Sequence, residues 1–87
     1  MKNWHLYVLL CADGSYYAGV TTDLKRRLKE HNTSMKGAKY TKTRRPVEII
    51  YTEIFSSRSL AQKAEYRFKQ LTRKQKEKVI NESRRQT

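Results

Sequence analysis

Eighty-seven residues hold at most one small domain with a modest core; 37% hydrophobic and 32% charged residues place the chain above the disordered class but lean for a globular one. Twenty Lys and Arg against eight Asp and Glu leave a formal charge of +12, a field that attracts polyanions and exceeds what solubility requires. No apolar stretch approaches the ~20 residues of a membrane span, the basic residues do not back a strongly apolar helix face, and a single cysteine, Cys11, excludes an internal disulfide and suits a reducing cytoplasm.

In chain order, Met1–Trp4 has no signal-peptide pattern and leads straight into an apolar run, His5–Cys11, that predicts the first strand. Asp13-Gly14 marks a hairpin turn, and Tyr16–Val20 is the returning strand. Two loops fit this turn. A two-residue type I′ turn pairs Leu10 with Tyr17 and puts Tyr7 and Tyr17 on opposite faces. A three-residue loop, Ala12-Asp13-Gly14, has Gly14 left-handed in a G1 bulge and pairs Leu9 with Tyr17 and Tyr7 with Gly19. The two tyrosines then share a face, and Gly19 leaves a gap opposite Tyr7. Local turn chemistry does not choose between the loops.

Thr22 or Asp23 caps a helix running to about His31. At about 100° per residue, Leu24 and Leu28 form its inward stripe, Arg27 lies about 60° from Leu24, and His31 falls between the two leucines. Lys25, Arg26, Lys29 and Glu30 point away. Arg27 therefore either packs its stem and sends its head to water, or lines a cleft. The segment "NTSMKGAKYTKTRRP", Asn32–Pro46, reads as a long basic loop with one helical turn. It offers Lys36, Lys39, Lys42, Arg44 and Arg45 to a phosphate backbone. Its Tyr40 serves either stacking on an unpaired base or packing under the loop.

"VEIIYTEIF", Val47–Phe55, is the strongest strand by β-branched and aromatic content. Ser57 or Ser59 caps a helix to about Leu71, with Leu60, Ala61, Ala64, Phe68 and Leu71 as its apolar stripe. Glu65 sits at the stripe's edge. It is either an i,i+4 partner of Lys69 or a carboxylate aimed into a cleft, where one carboxylate with retained waters can hold Mg²⁺ beside a phosphate. Thr72 and Gln75 form a capping box for a last helix to about Glu82, and 83–87 is a frayed basic tail. The order β-β-α-β-α-α over 1–82 predicts a small α+β domain, three strands covered by helices. No Cys/His spacing suits zinc and no glycine-rich phosphate loop is present; His5 reads as a surface or packing residue.

"LYV" at 6–8, "YAG" at 17–19, Arg27, His31 one turn later and Glu65 in a late helix resemble the GIY-YIG nuclease domain, in its small single-domain bacterial form. The passages "CADGSYYAGVTTDLKRRLKEHN" and "KGAKYTKTRRPVEIIY" extend the resemblance over nearly the whole chain. It implies a three-stranded antiparallel sheet flanked by helices, and phosphodiester hydrolysis with one divalent metal ion, usually Mg²⁺. It also implies that Tyr7 and Tyr17 line the cleft, and that one of them, or a neighbour, helps deprotonate the attacking water. Arg27 binds the scissile phosphate, His31 assists nearby, and Glu65 is the metal ligand.

The chemistry of these residue types agrees. A planar guanidinium suits phosphate oxygens better than an ammonium, and a tyrosine needs a nearby cation to act as a base at neutral pH. The sequence also departs from the family pattern. Leu6 stands in place of the first motif's glycine, Val8 is a changed apolar residue, and Ala18 replaces isoleucine in the second motif. Asn81 matches a late family asparagine by location alone. The expectation is a Mg²⁺-dependent nuclease acting on DNA rather than RNA, with low sequence preference or a structural one. The alternatives are a DNA- or structured-RNA-binding protein without turnover, and an accessory subunit docked on a partner protein.

Overall fold

The computed structural model describes residues 2–85. Strands β1 (Trp4–Cys11), β2 (Tyr16–Thr21) and β3 (Val47–Phe55) form one antiparallel sheet in the order β2-β1-β3. Helices α1 (Leu24–Thr33), α2 (Lys39–Lys42), α3 (Arg58–Lys69) and α4 (Arg73–Arg85) complete it. This is the α+β class expected, and α2 is the single turn read within the long basic loop. Helix α4 runs past Glu82 to Arg85. The last two residues of the tail read as frayed, 86–87, lie outside the described residues.

The helix starts follow capping chemistry. Asp23, not Thr22, accepts from the Arg26 N–H at 3.0 Å, and Ser57, not Ser59, accepts from the Leu60 N–H at 3.2 Å. Thr72 and Gln75 bond reciprocally, at 2.9 and 3.2 Å, as a capping box.

The hairpin takes the three-residue form. Gly14 has φ 85°, its N–H donates to the Cys11 carbonyl at 2.9 Å, and the Cys11 N–H donates to the Ser15 carbonyl at 2.9 Å. Leu9 is therefore opposite Tyr17, and Tyr7 is opposite Gly19. A remote segment helps hold this loop: the Ala12 N–H donates to the Arg44 carbonyl at 2.9 Å, and the Arg44 guanidinium pairs with Asp13 at 3.0 Å.

Strand alternation then divides the sheet. Leu6, Val8 and Ala18 face α3 and α4 and are buried with Phe68 and Ile80; Tyr16, Ile50, Tyr51, Phe55, Ala64 and Leu71 surround them. Val8 lies opposite Tyr51 and Leu9 opposite Ile49, so Ile50 is an extra residue in β3, and this bulge lets Ile50 join Tyr51 on the aliphatic side. Leu60 departs from the expected stripe: it is 46% exposed while its neighbour Ala61 is buried, so the sheet covers Ala61 and not Leu60 in the first turn of α3. The other face buries Tyr7, Leu9, Cys11 and Val47 beneath Tyr17, Leu24, Leu28 and Ile49. His31 and Thr41 are also completely buried.

Candidate active site

The site grows from Tyr7, near the middle of β1. Its ring lies across Gly19, where a Cβ would come within 2.6 Å of Tyr7 Cζ and closer still to the hydroxyl. Glycine at that position lets the tyrosine lie flat against β2. The Tyr7 hydroxyl meets His31 Nε2, from the end of α1, at 2.8 Å. The other imidazole nitrogen, Nδ1, receives the Ala38 N–H at 3.2 Å and stands 3.2 Å from Thr41 Oγ1. Thr41 in turn donates to the Ala38 carbonyl at 2.8 Å.

Burial pushes the Tyr7 hydroxyl up to about 12, against the lowering pull of the Arg27 guanidinium; Tyr17 and Glu65 push it further up. Burial also pushes His31 down to about 4, with Arg27 and Arg45 acting in the same sense and Glu30 opposing them. His31 is therefore neutral at physiological pH.

Tyr17 stands beside this pair. Its ring meets His31 edge-on at 5.4 Å between centroids and stacks on Tyr40 at 5.8 Å. The Arg44 guanidinium lies 3.9 Å over the Tyr40 ring, which remains 38% exposed. Arg27 does not float in solvent. It donates to Glu30 at 2.9 Å and to the Lys36 carbonyl at 2.8 Å, and it lies close enough to the Tyr7 hydroxyl to act on its ionisation. Its neighbour Arg26 is the exposed member of the pair.

Glu65 belongs to α3, which packs on the other face of the sheet, and its carboxylate is near enough to act on the Tyr7 hydroxyl. Lys69, one turn later, lies 3.4 Å from Glu65 and 5.9 Å from the centre of the Tyr17 ring. Tyr7, Tyr17, Arg27 and His31 thus form one contiguous cluster, and Glu65 stands at its rim. Among the described residues no group of three or more His, Cys, Asp and Glu side chains could hold a metal. A half-buried lone carboxylate, paired with a flexible lysine, nonetheless fits a Mg²⁺ ion that keeps its waters and takes further oxygens from a phosphate.

The basic loop divides. Lys36 and Lys39 are exposed and Lys42 is half-buried. Arg44 is tied to Asp13 and donates to the Tyr40 carbonyl at 2.8 Å. Arg45, expected to face a phosphate backbone, instead donates to the carbonyls of His31 at 2.5 Å, Ser34 at 2.8 Å and Glu30 at 3.4 Å. The last carbonyls of α1 carry the negative end of the helix dipole; the Glu30 carbonyl already accepts the Ser34 N–H at 3.0 Å, and the guanidinium adds a charged donor to all three. Asn81 is exposed on α4 among Lys74, Glu77, Lys78 and Glu82, on the far layer from the tyrosines.

Sequence reasoning missed three supporting residues. Asn32 bonds both backbone groups of Val47, at 2.8 and 3.0 Å, and pins the start of β3 to the end of α1. Gly37 packs so tightly on α1 that a Cβ would stand 2.6 Å from the Glu30 carbonyl oxygen and 2.8 Å from His31 Cα. Thr41 is the third. Their visible signals were a lone glycine and two small polar residues in a basic loop, which look the same in a solvated one.

The GIY-YIG catalytic domain profile matches residues 3–78. The chain is 61% identical over 79 residues to a UPF0213 protein of Bacillus velezensis, covering 91% of this chain and 79% of that one. It is 57% identical over 83 residues to UPF0213 protein YazA of Bacillus subtilis, covering 95% and 83%. Among solved structures, the solution NMR structure of an E. faecalis protein superposes with TM-score 0.66 at 55% identity, covering 97% of this chain and 88% of that one. That of a UPF0213 protein from Bacillus halodurans gives 0.59 at 46% identity, covering 91% and 83%.

Proposed function

The chain belongs to the GIY-YIG family, and from that premise we propose that it is a Mg²⁺-dependent endonuclease that hydrolyses phosphodiester bonds in DNA, with low sequence preference or a preference for structure. The observation that carries this reading is the cluster of Tyr7, Tyr17, Arg27 and His31 on one face, with Glu65 at its rim. Arg27 receives the scissile phosphate. Glu30 and the Lys36 carbonyl already orient its guanidinium, so little is reorganised as charge builds on the phosphorus oxygens. Tyr7, with Tyr17 beside it, takes the proton of the attacking water. Its high pKa makes the phenolate a strong base, and positive charge near the hydroxyl is what brings it into use. Glu65 would hold Mg²⁺, which when bound neutralises phosphate charge.

The family implies a nucleic acid as the partner, and +12 of charge supplies sequence-independent attraction to one. Lys36, Lys39 and Lys42 contact the backbone, and Tyr40 and Arg44 border the entrance. DNA is the favoured polymer over RNA, with a protein partner for targeting as an option. The buried free thiol of Cys11 is compatible with a reducing, cytoplasmic setting, and no described helix is long and apolar enough to cross a membrane.

One observation favours a second reading, binding without turnover: Glu65 is paired with Lys69, and among the described residues no group of three or more His, Cys, Asp and Glu side chains could hold a metal. The deciding experiment incubates duplex, single-stranded and branched DNA and structured RNA with the protein, with Mg²⁺ or with a chelator. Metal-dependent cleavage lost in both Arg27→Ala and Glu65→Ala supports the nuclease. Cleavage undiminished in both variants belongs to a contaminant and overturns it. Tight, salt-sensitive binding without cleavage moves the assignment to the second reading.

A further inference from the structure

The two nitrogens of His31 face different kinds of partner, and one protonation state satisfies both. On the Nδ1 side stands the Ala38 backbone N–H, at 3.2 Å. A backbone N–H can only donate, so Nδ1 must present its lone pair. The Thr41 oxygen, also 3.2 Å from Nδ1, gives its proton to the Ala38 carbonyl and so offers Nδ1 no donor; its rotatable hydroxyl fits either tautomer, and the fixed Ala38 N–H is the group that selects one. A neutral imidazole that accepts at Nδ1 carries its hydrogen on Nε2. Nε2 is the nitrogen 2.8 Å from the Tyr7 hydroxyl.

We infer that the 36–46 segment sets the proton geometry of the site: the Ala38 N–H holds His31 in the tautomer whose Nε2–H donates to Tyr7, so His31 is a hydrogen-bond donor to that tyrosine and not the acceptor of its proton. An imidazolium would set an Nδ1–H against the Ala38 N–H in a completely buried pocket. The groups acting on His31 agree. Arg27 on α1 and Arg45 ahead of β3 oppose a cation there, and only Glu30 favours it. Tyr7 on β1 and Tyr17 on β2 are the titratable groups packed against its ring, and Glu65 acts on Tyr7 from α3.

Because the Tyr7 oxygen accepts from His31, its own proton points elsewhere. That proton passes to a solvent water or hydroxide ion without any movement of His31, the electron pair stays on the tyrosine oxygen, and the Nε2–H then bonds the phenolate. Ala38 is a positioning residue that acts through His31. Gly37 permits its approach, since a Cβ there would strike α1. The inference rests on the nuclease reading for what Tyr7 does with its proton, but the tautomer stands independently of it.

The test uses the intact ¹⁵N-labelled protein and long-range proton–nitrogen correlation of the His31 ring at neutral pH. A bare Nδ1 and a protonated Nε2 are expected; an Nδ1–H tautomer or an imidazolium overturns the inference. A second arm compares His31→Gln, whose amide can still donate to Tyr7, with His31→Leu, which cannot. The Tyr7 ring-carbon resonance should stay near the wild-type position in the first and move in the second. Cleavage should fall within about tenfold in His31→Gln and by about a hundredfold in His31→Leu. Equal movement and equal loss in the two variants overturn the donor role. Absence of cleavage in the wild type as well sinks the nuclease reading and leaves the ring measurement to decide this one.

Discussion

On the α3–α4 side of the sheet, Leu6, Val8, Ala18, Phe68 and Ile80 make a buried core of apolar side chains alone. On the α1–α2 side, Tyr7, Leu9, Cys11 and Val47 are buried together with His31 and Thr41, whose polar atoms bond one another through Ala38 and Tyr7. Apolar packing is non-directional and tolerates volume-conserving exchange. A buried polar network holds one geometry, because each donor left without its acceptor is costly. The contrast assigns stability chiefly to one side of the sheet and precise positioning to the other.

The sharpest way to break that division is to strike each side once and read both stability and cleavage. Arg27→Ala should lower cleavage by about 10²–10³-fold while the melting temperature stays close to wild type, since the side chain is partly exposed and its partners can be solvated. Phe68→Ala should do the reverse, costing about 3–5 kcal/mol in denaturant unfolding, with cleavage per folded molecule retained. A catalytic defect from Phe68→Ala in the still-folded fraction would refute the division.

Acid titration separates the sides next. His31 is held at about 4 in the folded protein against about 6.5 when unfolded. Between those values the unfolded chain binds the extra proton, so stability is complete above about 6.5 and falls as pH drops toward 4. The loss is about 3 kcal/mol by linkage. Thermal melts across this window should show the slope in the wild type and lose it in His31→Gln; an unchanged slope would place its origin elsewhere.

Smaller effects sort the cations of the basic loop. Arg45→Ala should cost about 1.5–3 kcal/mol of stability, because three carbonyls at the end of α1 lose a charged donor. Its effect on nucleic-acid affinity should not exceed that of any other single charge. Lys39→Ala should leave the melting temperature unchanged and reduce the slope of log affinity against log salt by about one. The reverse pattern would return Arg45 to the phosphate backbone.

Much of this was open to local reasoning. The bounds of β3 coincide with the run Val47–Phe55, and the caps at Ser57 and Thr72 with Gln75 follow short-range bonding. The inward lean of Arg27 and His31 and the edge position of Glu65 follow from 100° steps around a helix. Motif order and spacing from Tyr7 to Glu65 pointed to the family. Leu60 was misplaced because periodicity describes a whole helix and not the angle at which its first turn meets the sheet.

What the sequence determined by itself was the set of elements and the side chains that each turns inward, because caps, turns and periodicity depend on neighbours a few residues apart. Only the tertiary structure decided the hairpin between its two allowed loops, with Arg44 reaching back to Ala12 and Asp13 and so helping to keep Tyr7 and Tyr17 on one face. It alone turned Arg45 inward onto α1 and brought Ala38 and Thr41 against His31. Each of these rests on a bond between different elements, 7 or more residues apart in the chain, and the energy of such a bond exists only once the elements have met.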